Sequence, residues 1–294
     1  MNDQVCELCC GAGGMALGFS QYYDIVQAID HSEPVVRTYG SNHPDTSTRK
    51  LDIRNITGCS KDFDGLTGVI GGPPCQGSSI MNTKRCADDP RNEIMGEFMR
   101  LVSEIKPNWF VMENVPGVPK EIKSKVMQSG IDSGYTLTSV YLNAADHGAS
   151  QTRKRWIFVG STSSKWTPPL PTGCTTVRDA LSHITKNWGV MQSKYETLSR
   201  LQHATHEWTP ITGKFKNMIK LSWDSPSPAV VNLKKVYMVH PDECRNISLA
   251  EAAALQGFPN NYIWKGTDTE IAQMIANAMP AQLAESIARS LKEV

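Results

Sequence analysis

The sequence predicts a mixed α/β protein: a doubly wound, mostly parallel sheet flanked by helices, with a second, smaller domain. Short apolar runs alternate with helix-like segments over the first 160 or so residues, which is the pattern of successive βα units. A glycine-rich turn joins the first run to the segment after it. Beyond about residue 165 the alternation breaks at Pro168-Pro169-Leu170-Pro171, and a tryptophan-bearing stretch follows. At 294 residues the chain exceeds a usual single domain, so one large core with a smaller lobe is expected.

Taken in order, Val5 to Gly18 (VCELCCGAGGMALG) runs from an apolar strand through Gly11, Gly13 and Gly14 into a helix-like segment. Glycine permits a tight turn and close backbone approach, and a helix N-terminus offers free N–H groups to an anionic ligand. The second strand, DIVQAID, closes on Asp30, 19 residues beyond Gly11, where an acidic residue commonly takes ribose hydroxyls. Gly11, Gly13 and Ala16 also satisfy the G-x-G-x-x-A dinucleotide pattern, which keeps a nicotinamide cofactor open.

Residues 66–71, LTGVIG, predict a buried strand. Gly72, Pro73 and Pro74 then deliver Cys75 on a stiff backbone, since each proline fixes φ near −65°. Cys75 is either an aimed nucleophile or one more inert small hydrophobe. The long polar segment 76–91 that follows carries Lys84, Arg85 and Arg91. The next strand, within NWFVMENVPG, brings Glu113 and Asn114 to its carboxyl end, where open α/β sheets bind ligands, so Cys75 and Glu113 should share one rim. Glu113 could instead be an ordinary loop carboxylate. Gln151-Thr152-Arg153-Lys154-Arg155 precedes the apolar run WIFVG, and alternation puts Arg153 and Arg155 on one face; a solvated basic turn is the alternative. The spacing of Leu283, Ile287 and Leu291 predicts an amphipathic helix over 281–292 that packs back on the large domain.

The net charge of +1 hides an asymmetry. Residues 161–245 hold eleven Lys or Arg against six Asp or Glu, whereas the remainder is acidic by four. A basic excess with Trp166, Trp188, Trp208 and Trp223 suits a lobe that contacts phosphates and reads base edges, although at least half of the tryptophans are expected in that lobe's core. No apolar run is long enough to span a membrane, and the N-terminus lacks a secretory signal. Eight cysteines in a chain of this size predict no disulfide scaffold, and Cys6 and Cys9, three residues apart on a strand, face opposite sides; no metal site is expected.

These segments, in this order, resemble the DNA (cytosine-5)-methyltransferase family over nearly the whole chain. The likeness continues through His240-Pro241, Arg245, Glu251 to Pro259 (EAAALQGFP) and Ala276 to Pro280 (ANAMP). It implies a Rossmann-like methyltransferase domain over 1–165 and 268–294, with a small target-recognition domain over 166–267 and double-stranded DNA in the cleft. It implies S-adenosylmethionine as cofactor: the backbone of Gly11, Gly13 and Gly14 at the methionine portion, Asp30 at the ribose, Asp52 with Ile53 at the adenine, and Asn277 closing the site. Glu7 and Cys9 stand where the family usually has aspartate and an adenine-packing phenylalanine. Ala276 replaces a usual glycine, and Ala250 and Ala254 replace common arginines.

The same resemblance assigns the chemistry. Cytosine carbon 5 is a poor nucleophile until a thiolate adds to carbon 6, and Cys75, on Pro74, would supply that thiolate. Glu113, beside Asn114, would hydrogen-bond ring nitrogen 3, and Arg155 the carbonyl oxygen, with Gln151 and Arg153 supporting the rim. The base must be flipped out, and the loop after Cys75 suits that step. A monomeric, cytoplasmic and nucleoid-associated enzyme of prokaryotic or phage origin, in a restriction-modification or a solitary role, is the expectation. A transfer RNA cytosine-5 methyltransferase is the alternative, but its Cys-Phe-Thr signature is missing, Cys174-Thr175-Thr176 standing in the region. A catalytically silent DNA-binding relative need not keep Cys75, Glu113 and Arg155 together. A nicotinamide oxidoreductase gives no role to Pro74-Cys75.

Overall fold

The computed structural model describes residues 3–74, 93–184, 187–189, 204–207, 209–210, 217–233 and 236–293. They fall into two compact units. One comprises Met1–Asn143, Lys154–Leu170 and Ala284–Val294, the other Ala144–Arg153 and Pro171–Leu283.

The first unit is built on β1 (Gln4–Leu8), α1 (Gly14–Phe19), β2 (Asp24–Asp30), α2 (Glu33–Asn42), β3 (Ser47–Lys50), β4 (Gly68–Gly71), α3 (Glu93–Ile105), β5 (Trp109–Asn114), α4 (Lys120–Asp132) and β6 (Thr136–Asn143). After β7 (Gln151–Thr152), which lies in the other unit, β8 (Lys154–Ser161) returns to it. The sheet order is β3-β2-β1-β4-β5-β8-β6. The first five strands pair in parallel, while β8 runs antiparallel to both β5 and β6. The expected mixed, mostly parallel doubly wound sheet is therefore present. Chain order reverses between β1 and β4, the switch point at which such sheets open a crevice.

The strands at that point are apolar because both faces are covered. Every residue of β4 and of β5 is buried. Helix α3 covers one face with Met95, Phe98, Met99, Leu101 and Val102 and turns Glu97, Arg100 and Glu104 away from the core. Phe98, Phe110, Tyr135, Trp156 and Phe158 fill the layer between, the Phe110 and Tyr135 rings meeting edge to face at 5.0 Å.

The last helix, α8, spans Ala281–Leu291 by the spacing expected, and buries Ala284, Ile287, Ala288 and Leu291 in this unit. Its backbone lies directly on α1. A Cβ placed on Gly18 would sit 2.3 Å from the Glu285 amide nitrogen and 2.6 Å from Ala284. Backbone cannot step aside as a side chain can. Gly18→Ala is therefore expected to cost about 1–3 kcal/mol, read as a lowered thermal midpoint with the sheet retained.

The second unit contains α5 (Val177–Leu181), a three-stranded sheet of β9 (Thr209–Pro210), β10 (Asn217–Lys220) and β12 (Val236–Val239), the two-stranded pair of β7 with β11 (Ser227–Pro228), and helices α6 (Leu249–Leu255) and α7 (Asp268–Asn277). Capping boxes start all three helices: Thr176 with Asp179, Ser248 with Glu251, and Thr267 with Glu270. Arg245 grips Glu251 through two 2.7 Å bonds, so the α6 cap is also an ion pair.

The units divide differently from the boundaries expected at 166–267: residues 144–153 and 268–283 group with the second unit. The reason is a set of buried polar ties. The Gln151 amide bonds the Leu255 carbonyl and Gln256, and Gln256 donates to the Ile275 carbonyl. Trp166 moves the other way. It is buried in the first unit, with its indole N–H 2.9 Å from Ser290 Oγ, and is no part of a small lobe's core. Trp188 and Trp223 are half-buried, and Trp208 lies outside the described residues.

Candidate active site

The carboxyl ends of β2, β1, β4 and β5 lie along one edge of the sheet and carry most of the residues singled out above. At β1 the chain leaves Leu8 and reverses sharply. Cys9 and Gly11 have φ of 53° and 54°, and Gly13, at 85°, forms the N-cap of α1 without a side-chain hydrogen bond. Gly11 and Gly13 meet that demand freely, whereas Cys9 is strained there, as residues at functional sites often are. Asp30 holds the turn in place: its carboxylate accepts from the Gly11 amide at 3.2 Å and the Ser32 amide at 3.0 Å, and His31 Nδ1 lies 3.2 Å away. That hydrogen bond raises the His31 imidazole above its ordinary value. Spacing placed Asp30 here; its bond to the glycine turn was not legible from spacing.

Further along this edge Asp52 caps the single 3₁₀ turn Ile53–Asn55, accepting the Arg54 amide at 3.0 Å and the Arg54 guanidinium at 2.5 to 3.1 Å. The Arg54 hydrogen bond holds the Asp52 carboxyl down at about 2. Ile53 anchors the turn in the core.

Glu7 lies inside β1, 1% exposed, and accepts a 2.8 Å hydrogen bond from the Tyr39 hydroxyl. Burial pushes its carboxyl up to about 8; Tyr39 pulls it back and Asp30 adds to the rise. In the unfolded chain a glutamate ionises near about 4.3. The folded chain therefore holds the extra proton between those values, and stability falls as pH rises through that window. Glu7→Gln is expected to flatten the fall, exceeding wild type by a few kcal/mol above about pH 8 and matching it below about pH 4. Urea midpoints at pH 5 and pH 8.5 measure this difference. Burial also pushes the Cys6 and Cys10 thiols up, which keeps them as inert core groups. Among the described residues no three His, Cys, Asp or Glu gather as metal ligands.

The second half of the edge belongs to β4 and β5. Glu113 and Arg155 form a largely shielded ion pair, Nε to Oε1 at 2.6 Å, each side chain 11% exposed. The sheet register explains it, because Glu113 pairs with Ile157 and Asn114 with Trp156, placing Arg155 one step beyond on the facing strand. Asn114 ties β5 to the segment after β4: its amide donates to the Pro73 carbonyl at 2.9 Å, and its Oδ1 accepts the Val115 amide. Gly72 allows the close approach, since a Cβ there would come 3.1 Å from Glu113 Oε2. Pro74 is the last described residue of this stretch, and Cys75, Lys84, Arg85 and Arg91 lie outside the described residues. What the structure fixes is the backbone that leads to Cys75.

The alternation expected across 151–155 is interrupted, because β7 ends at Thr152 and β8 begins at Lys154. Arg153 is buried in the second unit, donating to the Val230 carbonyl at 2.8 Å and the Ala276 carbonyl at 2.6 Å. Arg155 instead serves Glu113. Gln151, wholly buried, accepts the Val230 amide as well as bonding Leu255 and Gln256. Both are internal braces of their unit. Asn277, at the exposed end of α7 in the same unit, accepts from Gln273 at 2.7 Å.

Comparison with known proteins gives the family and the fold. The family profile described as C-5 cytosine-specific DNA methylase matches residues 4–187 and 172–293. The Type II methyltransferase M.MthTI of Methanothermobacter thermautotrophicus is 30% identical, the alignment covering 100% of this chain and 98% of that protein. M1.HphI of Haemophilus parahaemolyticus, also a Type II methyltransferase, is 29% identical over 97% of this chain and 85% of its own. Among solved structures, one described as a DNA modification methyltransferase encoded within an E. coli prophage superposes with a TM-score of 0.79 at 24% identity, covering 99% of each chain. The S. pombe Dnmt2 methyltransferase gives 0.73 at 19% identity over 100% of this chain and 99% of its own. With this match over nearly the whole chain, on a mostly parallel sheet, the chain belongs to the C-5 cytosine-specific DNA methylase family and is a DNA cytosine-5 methyltransferase.

Proposed function

We propose that this enzyme methylates carbon 5 of a cytosine flipped out of double-stranded DNA, through a covalent Cys75 adduct, with S-adenosylmethionine as methyl donor. The observation that carries the reading is the Glu113–Arg155 pair, with the Gly72–Pro74 backbone held against it by Asn114. The nucleophile's neighbour in sequence and the two groups suited to a pyrimidine edge thus converge on one rim.

S-adenosylmethionine, when bound, supplies a methyl group on a positively charged sulfur. The glycine turn fits its methionine portion, since open space stands where a side chain on Gly11 would be and α1 starts without a side-chain cap. Asp30 fits the ribose hydroxyls, and the Asp52-Ile53 peptide fits the adenine. Asn277 would close the site.

The Cys75 thiolate forms a bond to ring carbon 6, and the electron pair released from the 5,6 double bond makes carbon 5 nucleophilic. Glu113, taking up a proton as the base enters, donates a hydrogen bond at nitrogen 3, and Arg155 donates at the carbonyl oxygen, where negative charge gathers. Gln151 and Arg153 brace the segment leading into β8. After transfer, a base takes the carbon 5 proton, the C–H electron pair re-forms the 5,6 double bond, and the carbon 6–sulfur bond breaks to release Cys75 as thiolate. The Type II names of the relatives fit a restriction-modification role in the cytoplasm of a prokaryote.

The test is incubation with S-adenosylmethionine and unmethylated DNA of diverse sequence, followed by mapping of 5-methylcytosine at single-base resolution. Methylation confined to one short sequence context is expected. Cofactor binding with no methylated DNA would contradict the reading and turn the search to RNA.

A further inference from the structure

We infer that Arg100 and Glu104, both on α3, are positioning residues for the adenine end of the cofactor site; the inference rests on the cofactor assignment proposed above. The segment between β3 and β4 leaves the carboxyl end of β3 with only two short 3₁₀ turns, Ile53–Asn55 and Lys61–Phe63, to order its backbone. Such a stretch keeps one conformation only if something outside it holds its polar groups. One ion pair on α3 does so. Arg100 Nη2 donates to the carbonyls of Ile53 at 3.0 Å and Ile56 at 2.9 Å. Its remaining donors go to Glu97 at 2.8 Å and Glu104 at 2.8 Å, so the guanidinium plane is fixed from behind. Glu104 completes the grip with its other oxygen, which accepts the Gly58 amide at 2.7 Å.

The clamped backbone includes the Ile53 peptide assigned to the adenine, yet neither clamp residue belongs to the site itself. Burial lowers the Arg100 guanidinium, but its hydrogen bonds to Glu104 and Glu97 together raise it, and the bond from Arg100 lowers the Glu104 carboxyl. An arginine suits this task better than lysine, because its planar fork reaches two carbonyls and two carboxylates at once. Fixing the peptide before the cofactor arrives removes an ordering cost from binding and touches no reacting atom.

The experiment titrates S-adenosylmethionine into wild type, Arg100→Met and Glu104→Gln by calorimetry, and measures KM for the cofactor and kcat on a methylatable DNA. Arg100→Met should raise Kd and KM roughly tenfold, and Glu104→Gln several-fold, with kcat within about threefold and DNA affinity unchanged. Arg100→Lys should recover part of the loss. Wild-type Kd in both variants, or a loss confined to kcat, would overturn the inference. If Arg100→Met unfolds, Glu104→Gln decides by the same criterion. A wild-type protein that binds no S-adenosylmethionine would instead remove the cofactor assignment and the inference with it.

Discussion

Replacing Cys75 by alanine is expected to lower methyl transfer by at least about 10⁴-fold while leaving S-adenosylmethionine affinity within about twofold. The size follows from the chemistry. Without a bond at carbon 6 the cytosine ring stays aromatic and carbon 5 has little tendency to attack a methyl group. The selectivity follows from the structure, because the segment that presents Cys75 is attached to β5 through Asn114 and Pro73, whereas the glycine turn and Asp30 stand on β1 and β2. Removing the thiol disturbs neither attachment. Initial rates with labelled cofactor, beside a binding titration, separate the two effects; substantial residual methylation would rule out the covalent route.

Glu113→Gln is expected to cost roughly 10²–10⁴ in kcat, with DNA and cofactor binding retained. The amide keeps the shape of the carboxyl but cannot deliver a proton to nitrogen 3. It also leaves the Arg155 guanidinium without its charged partner in a site where both side chains are only 11% exposed. Some loss of stability, of the order of 3 kcal/mol for an unpaired buried charge, should accompany the rate effect. Single-turnover rates on preformed complexes keep the two apart, since a purely structural role for Glu113 would spare the chemical step in the folded fraction.

The fold was legible because its strongest signals are local. DIVQAID is a strand over its whole length, and the last helix follows its leucine and isoleucine spacing to within one residue of its end. The convergence of Glu113 with the peptide before Cys75 was also legible, from the rule that ligands gather at strand carboxyl ends. Less accessible were features created by long-range polar ties. Arg153 and Arg155 look equivalent two residues apart, but a break at residue 153 sends one into carbonyls of Val230 and Ala276 and leaves the other on Glu113. Trp166 sits just before the proline run, yet its indole finds Ser290, 124 residues away. The Arg100 grip on Ile53 and Ile56 is of the same kind, invisible in the helical pattern of α3 because that pattern records only which face is apolar. Periodicity encodes burial; it carries no information about which distant carbonyl an arginine will choose.

The most direct test uses duplex DNA of mixed sequence in which cytosine is replaced by 5-fluorocytosine. Thiolate addition and methyl transfer can proceed on this base, but carbon 5 then carries fluorine where a proton would have to leave, so the enzyme cannot be expelled. Incubation with S-adenosylmethionine should give a protein–DNA complex that survives denaturing electrophoresis, maps by peptide mass spectrometry to Cys75, and is absent from Cys75→Ala. An enzyme that methylates ordinary DNA but gives no trapped complex, or an adduct on any other residue, would contradict the mechanism.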